Sequence, residues 1–266
     1  MGTRGEGLRD TGILIDIDGV LTVSWEPLPG AVEAMTALRD EGYRLALVTN
    51  NTSRTRASIA ARLAGLGFPV GPDDVLTAPA ATAAYLRAHH PDARCLLLTT
   101  GDVTGDLDGV TLVEDGEDPE VVVLGGAGEA FTYEALNRVF RYLDEGARLV
   151  AMHRNLYWRT AGGLDLDTGA FLLGLERAAG VEAVVTGKPA AAFFGAALER
   201  LGVGAERAVM VGDDVESDVL AAQRAGITGV LVRTGKFRPE ALRAADGTPD
   251  HVVDSFADLP ALLDGL

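Results

Sequence analysis

The sequence predicts an α/β protein: a Rossmann-like, doubly wound parallel sheet core carrying an inserted α/β domain. Two observations predict it. Short apolar runs, too brief to be helices, alternate with longer stretches at helical spacing. That alternation is broken by a domain-sized middle segment and then resumes. Strand–helix alternation calls for parallel strands covered on both faces.

The expected core strands are residues 13–17, 45–48, 208–211 and 229–232, with helices over 31–41, 53–66, 190–201 and 215–225. Gly42, Gly67, Gly202 and Gly226 stand where those helices end, as suits a left-handed terminating position. Within the middle segment, 96–98, 121–124 and 149–152 read as strands, and 78–89 and 133–145 as helices. The expected domains are therefore a core built from 1–76 and 186–266, interrupted by an inserted domain over 77–185.

Composition narrows the function. Hydrophobic residues make up 47% of 266, enough to bury a core and too many for disorder. A net charge of −16 with no basic stretch argues against nucleic acid and against anionic membrane surfaces as partners. A small anionic substrate would need local positive charge, such as a metal ion. Cys95 is the single cysteine, so no intrachain disulfide or cysteine-built metal site can form, which suits a reducing cytoplasm. Residues 1–10 are polar with no signal-like apolar segment, and no apolar run reaches membrane-spanning length. A soluble, cytoplasmic protein is expected.

The polar residues gather where the predicted core strands end. Asp16-Ile17-Asp18-Gly19 follows the first strand, and residues two apart in an extended segment point the same way. Thr49-Asn50-Asn51-Thr52 follows the second. Gly212-Asp213-Asp214 follows the third, with Asp218 just beyond, and Gly187-Lys188-Pro189 precedes a helix. Open parallel sheets bind ligands outside the carboxyl ends of their strands. Carboxylates gathered there repel, by roughly 4 kcal/mol for two charges about 4 Å apart at an effective dielectric near 20. A divalent cation removes that repulsion, and hard oxygen ligands without His or Cys favour Mg²⁺ over zinc.

These motifs, with Val20-Leu21 after the first and Val48 before Thr49, resemble the four motifs of the haloacid dehalogenase superfamily. An insertion between the second and third motifs resembles the class II capped phosphatases, subtype A. Thr77-Ala78-Pro79-Ala80-Ala81, Gly128-Glu129-Ala130-Phe131-Thr132-Tyr133 and Val232-Arg233-Thr234-Gly235-Lys236-Phe237-Arg238-Pro239 are similar to the phospholysine/phosphohistidine/inorganic pyrophosphate phosphatase subgroup and its hydrolase-domain relatives.

The resemblance implies that Asp16 attacks phosphorus to give an aspartyl-phosphate, with Asp18 as general acid and then base. It implies Mg²⁺ held by Asp16, Asp213 and the Asp18 backbone carbonyl. Lys188, Thr49 and Asn50 would bind the phosphoryl group, and Asp214 and Asp218 would orient Lys188 or metal-bound water. A homodimer through the inserted domain is a further expectation from relatives. His153, Asn155 and Tyr157, in a stretch that runs on to Trp158, are the candidates for reading the substrate. Gly125-Gly126-Ala127-Gly128 lacks dinucleotide-fingerprint spacing and reads as a turn. The competing readings are a phosphoryl transferase or mutase on the same scaffold and a non-catalytic phosphate binder. Mutases usually carry a helical cap between the first two motifs, where this chain has room for one short helical unit only.

Overall fold

The structure is a computed structural model that describes residues 11–160 and 163–265, with the side chains of 158–160, Trp158 included, outside that description, as is the polar start. The chain forms two compact units. One contains the segment ending at Thr49, Arg56–Leu76 and the segment from Lys188 onward; the other contains Asn50–Thr55 and Thr77–Gly187.

The first segments supply β1 (Gly12–Asp16), a short antiparallel hairpin of β2 (Thr22–Val23) and β3 (Glu26–Pro27), α1 (Ala31–Asp40), β4 (Arg44–Thr49), α2 (Arg56–Gly65) and β5 (Val75–Thr77). The inserted unit supplies α3 (Ala78–His89), β6 (Arg94–Leu98), β7 (Thr111–Val113), β8 (Val121–Leu124), α4 (Tyr133–Asp144) and β9 (Arg148–Ala151). A hairpin of β10 (Tyr157–Thr160) and β11 (Gly163–Leu166), then α5 (Thr168–Ala179) and β12 (Val184–Val185), completes it. The chain returns through α6 (Ala191–Leu201), β13 (Ala208–Gly212), α7 (Ala221–Arg224), β14 (Thr228–Val232), α8 (Pro239–Ala244), β15 (His251–Val253) and α9 (Leu259–Leu263).

The first unit is built on one sheet in the order β15-β14-β13-β1-β4-β5. β1 lies inside it, parallel to β13 (Ile13↔Val209) and to β4 (Ile13↔Leu45), and β14 continues beside β13 in parallel. Every residue of β1 is buried, because a strand covered on both faces has no solvent side. Alternate residues Ile13, Ile15, Leu45, Leu47, Val209 and Val211 face Ala34, Met35 and Leu38 of α1 and Ile59 and Leu63 of α2. α6 packs on β1 and β4, while Val215, Val219 and Leu220 cover Leu231.

The inserted unit has its own parallel sheet, β12-β9-β8-β6-β7. Val121, Val123 and Val150 face Ala83 and Leu86 of α3. Val122, Leu124, Leu149 and Ala151 face Val139 and Leu143 of α4 and Leu172 and Leu175 of α5. α4 is capped by Thr132, whose hydroxyl accepts from the Ala135 N–H at 3.1 Å. Gly125 and Gly126 follow β8 where a methyl group would strike Thr99 and Thr52, so that Gly-rich turn permits close packing.

Two helices differ from expectation for local reasons. The one expected from residue 53 starts at Arg56, because Asn51 Oδ1 accepts from the Ser53 and Arg54 N–H groups and holds a turn first. The one expected over 215–225 opens as a π-helical turn, Val215–Leu220, before the short α7. The Asp214 carbonyl there accepts from both Asp218 and Val219, widening the turn.

Phe193 and Phe194 of α6 are fully buried, with rings 6.1 Å apart at 88°. Phe193→Ala is expected to lower stability by about 3–5 kcal/mol in urea unfolding, while Leu173→Ala, on an exposed position of α5, stays within about 0.5 kcal/mol. A loss below about 1 kcal/mol for Phe193→Ala would contradict the packing of α6 against the sheet.

Candidate active site

Two adjacent strands of the first unit and the turn after the second bring the acidic residues together. β1 delivers Asp16 and β13 delivers Asp213, side by side at one sheet edge, and the π-helical turn after β13 delivers Asp218. All three are buried, and one carboxylate oxygen of each lies within 4.8 Å of the others. Thr49, buried, ends the neighbouring β4.

Lys188 sits among them. Its ammonium donates to Asp16 Oδ1 at 2.6 Å and is paired with Asp218 Oδ1 at 2.8 Å, with its side chain only 5% exposed. Burial alone would lower its pKa, yet the two carboxylates outweigh burial and hold it well above the ordinary range. It is therefore a permanent cation.

The carboxylate oxygens are unequally engaged. Asp218 is used on both sides, Oδ1 by Lys188 and Oδ2 by the Asp214 N–H at 3.2 Å. Asp213 Oδ2 accepts from the Lys236 N–H at 2.6 Å, whereas its Oδ1 is buried with no hydrogen-bond partner among the described residues. Lys188 engages Asp16 through Oδ1. An orphaned buried carboxylate oxygen costs free energy unless something positive meets it. Burial, then Asp16 and Asp218, push the Asp213 pKa up to about 8; burial and Asp16 push Asp218 to about 6 against the opposing pull of Lys188. Hard oxygens from Asp16 and Asp213, short of one positive charge, fit a divalent cation, with Asp218 one layer behind.

Asp18 stands two residues beyond Asp16, past the end of β1, with its side chain accessible. Its loop is fixed by the Gly19 N–H to the Thr22 carbonyl at 2.7 Å and by the Leu21 and Thr22 N–H groups to the Ile17 carbonyl. The protein around the carboxyl raises its pKa by desolvation, with Lys236 and Lys188 opposing. A raised carboxyl pKa suits a group that must carry a proton.

Some expectations change. Asp214, expected to orient Lys188 or metal-bound water, uses its Oδ1 to cap the N–H groups of Glu216 and Ser217. Asn50 groups with the inserted unit, its amide oxygen lying where Gly187 would carry a side chain. His153, expected to touch substrate, is buried; its Nε2 lies 3.8 Å from Asp167 Oδ1 and its Nδ1 accepts the Asn155 N–H at 3.3 Å. Asn155 and Tyr157 remain exposed. The Lys236 N–H on Asp213 had no assigned role, although Thr234-Gly235-Lys236 follows β14 at the same sheet edge as the other groups.

Comparison with known proteins agrees with this geometry. Residues 13–113 match the family described as haloacid dehalogenase-like hydrolase, and 185–259 match a second family described as HAD-hydrolase-like. The human phospholysine phosphohistidine inorganic pyrophosphate phosphatase is 37% identical over 98% of this chain and 96% of its own. A p-nitrophenyl phosphatase from Archaeoglobus fulgidus superposes with TM-score 0.89 at 30% identity, over 97% of this chain and 99% of that one. A glycerol phosphate phosphatase from Mycobacterium tuberculosis, solved in complex with magnesium, superposes with TM-score 0.85 at 29% identity, over 97% and 78% of the two chains. The chain belongs to the haloacid dehalogenase-like hydrolases, and it is a hydrolase of their phosphatase type.

Proposed function

We propose that the protein is a Mg²⁺-dependent phosphatase that hydrolyses a phosphorylated small molecule through an aspartyl-phosphate on Asp16. The observation that carries this reading is the pairing of Asp16 with Lys188 at 2.6 Å, beside Asp213 with its Oδ1 unpartnered among the described residues. Mg²⁺ held by Asp16, Asp213 and the Asp18 carbonyl would neutralise charge on the phosphoryl oxygens when bound.

The chain's own residues do the rest. Lys188 orients Asp16 through Oδ1 and offers a fixed positive charge to the phosphoryl group, while Thr49 and Asn50 donate to its oxygens. An Asp16 oxygen attacks phosphorus as the bond to the leaving oxygen breaks, and Asp18 gives that oxygen a proton. Water then attacks phosphorus, Asp18 takes the water's proton, and phosphate leaves with Asp16 restored. The raised pKa of Asp18 supports the acid role.

The inserted unit, residues 77–185 in this reading, acts as a cap that selects substrate, with Asn155 and Tyr157 as contacts and His153 shaping their loop from beneath. The names of relatives range over phospholysine, phosphohistidine, pyrophosphate, nitrophenyl and glycerol phosphates. N-phosphorylated compounds, small esters and pyrophosphate are accordingly the substrate classes to screen. Of the described helices none is long and apolar enough to cross a membrane, and the thiol of Cys95 is buried with its pKa pushed up to about 11. The single cysteine leaves no intrachain disulfide, which suits the reducing cytoplasm we assign to the enzyme.

Asp16→Asn is expected to abolish release of phosphate from p-nitrophenyl phosphate while the protein still unfolds cooperatively. Residual activity above about 1% of wild type would contradict a nucleophilic Asp16, since loss of a nucleophile costs several orders of magnitude. Asp18→Asn is expected to slow alkyl phosphates far more than aryl phosphates, because a good leaving group needs little protonation. Equal losses across leaving groups of widely different pKa would remove Asp18 from the first step.

The site also sets a pH dependence. Asp213 and Asp218 have folded-state pKa values of about 8 and 6, above the ordinary 3.8, so the metal-free folded protein binds protons that the unfolded chain does not. Their contribution to stability is therefore lost progressively as pH rises from 3.8 toward 8. A bound cation replaces those protons. The rise in Tm on adding Mg²⁺, against an EDTA control, is expected to be larger at pH 8 than at pH 5. A Tm rise that is equal at the two pH values would contradict a cation at Asp213.

A further inference from the structure

The segment 234–236, after β14, touches the cation cluster at three points. Thr234 Oγ1 donates to the Gly19 carbonyl, on the loop that carries Asp18. The Lys236 N–H donates to Asp213 Oδ2 at 2.6 Å. Between them Gly235 lies at φ 58°, facing Gly19 at φ 89°, and a methyl group on either glycine would overlap the Asp213 carboxylate. Side chains rarely adopt such φ values, and here there is also no room for one.

We propose that residues 234–236 form a strap that presets Asp213 as a one-oxygen cation ligand, with Thr234 as its positioning residue. The inference rests on the cation-dependent reading above and extends it to residues with no role in the chemistry. A carboxylate free to rotate can present either oxygen or both, and the larger Ca²⁺ accepts two-oxygen ligation readily. Mg²⁺ demands near-octahedral geometry at shorter distances. With Oδ2 held by the Lys236 N–H and closed in by Gly19 and Gly235, only Oδ1 remains, buried and without a partner among the described residues. The Thr234 hydroxyl ties this strap to the Gly19 carbonyl, so the Asp213 and Asp18 loops move as one piece. Groups that orient a metal ligand commonly govern affinity and selectivity without touching the ion.

The test is direct titration of the substrate-free, full-length protein with Mg²⁺ and separately with Ca²⁺ by calorimetry. Thr234→Val removes the hydroxyl at nearly constant shape, and Thr234→Ser restores it. Thr234→Val is expected to weaken Mg²⁺ binding by about tenfold or more, in the range typical for residues that orient metal ligands. Ca²⁺ binding should fall much less, so the Mg²⁺/Ca²⁺ affinity ratio drops, and Thr234→Ser should return that ratio close to wild type. Gly235→Ala should lower the ratio as well. Should Thr234→Val not fold, Thr234→Ala is read against Thr234→Ser in the same way. Wild-type affinity and ratio in the Thr234 variants, with binding lost in Asp213→Asn, would overturn the strap and leave the cation site standing. Unchanged binding in Asp213→Asn would overturn the cation site itself, and the strap with it.

Discussion

A buried lysine shared between two aspartates organises this structure. Lys188 meets Asp16 at 2.6 Å and Asp218 at 2.8 Å, almost out of contact with water. Removing one partner of such a buried pair typically costs about 3–5 kcal/mol, because the charge left behind has nowhere to go. Asp213 stands in the same cluster, and Lys188, even with the Lys236 ammonium acting on the same carboxylates, leaves the three one positive charge short. Burial first, and then the neighbouring Asp16 and Asp218 carboxylates, hold the Asp213 pKa up. A site kept short of positive charge is prepared for a cation and, with it, an anionic substrate.

The sheet makes this crowding feasible. Parallel strands β1 and β13 are neighbours, so the residues that end them are held side by side by backbone hydrogen bonds and by the buried apolar faces beneath. Local irregularities then aim the groups. The π-helical turn after β13, capped by Asp214, turns Asp218 back toward Lys188. Gly212, whose side chain would strike Asp218, leaves it the space to do so. Irregular backbone gathers at this edge, as is common where function rather than stability sets the geometry.

Much of this was legible in the sequence. The runs leading into Asp16, Thr49 and Asp213 read correctly as strands because they are buried on both faces and so are almost wholly apolar. The gathering of Asp16, Lys188, Asp213 and Asp218 was legible because polar residues stand at or just beyond the ends of buried apolar runs. Short edge strands such as β7 were not, with three residues and little burial. Gly169 and Gly174 inside α5 weaken its helical signal. Backbone donors leave no mark on composition, so the Lys236 N–H on Asp213 was hidden. The burial of His153 against Asp167 was hidden as well, since these residues lie on either side of the β10–β11 hairpin. The grouping of Asn50–Thr55 with the inserted unit depends on contacts distant in sequence, such as Gly101 against Ser53.

The central claim is that Asp16 carries the phosphoryl group during turnover. It is tested most directly by mixing enzyme, Mg²⁺ and a phosphorylated substrate, quenching in acid, reducing with borohydride and sequencing the peptides by mass spectrometry. Reduction converts an aspartyl-phosphate to homoserine. The account predicts homoserine at position 16, dependent on both substrate and Mg²⁺ and appearing at no other aspartate. Homoserine at another aspartate would contradict it, as would none at all in an enzyme caught during a measured burst of leaving-group release.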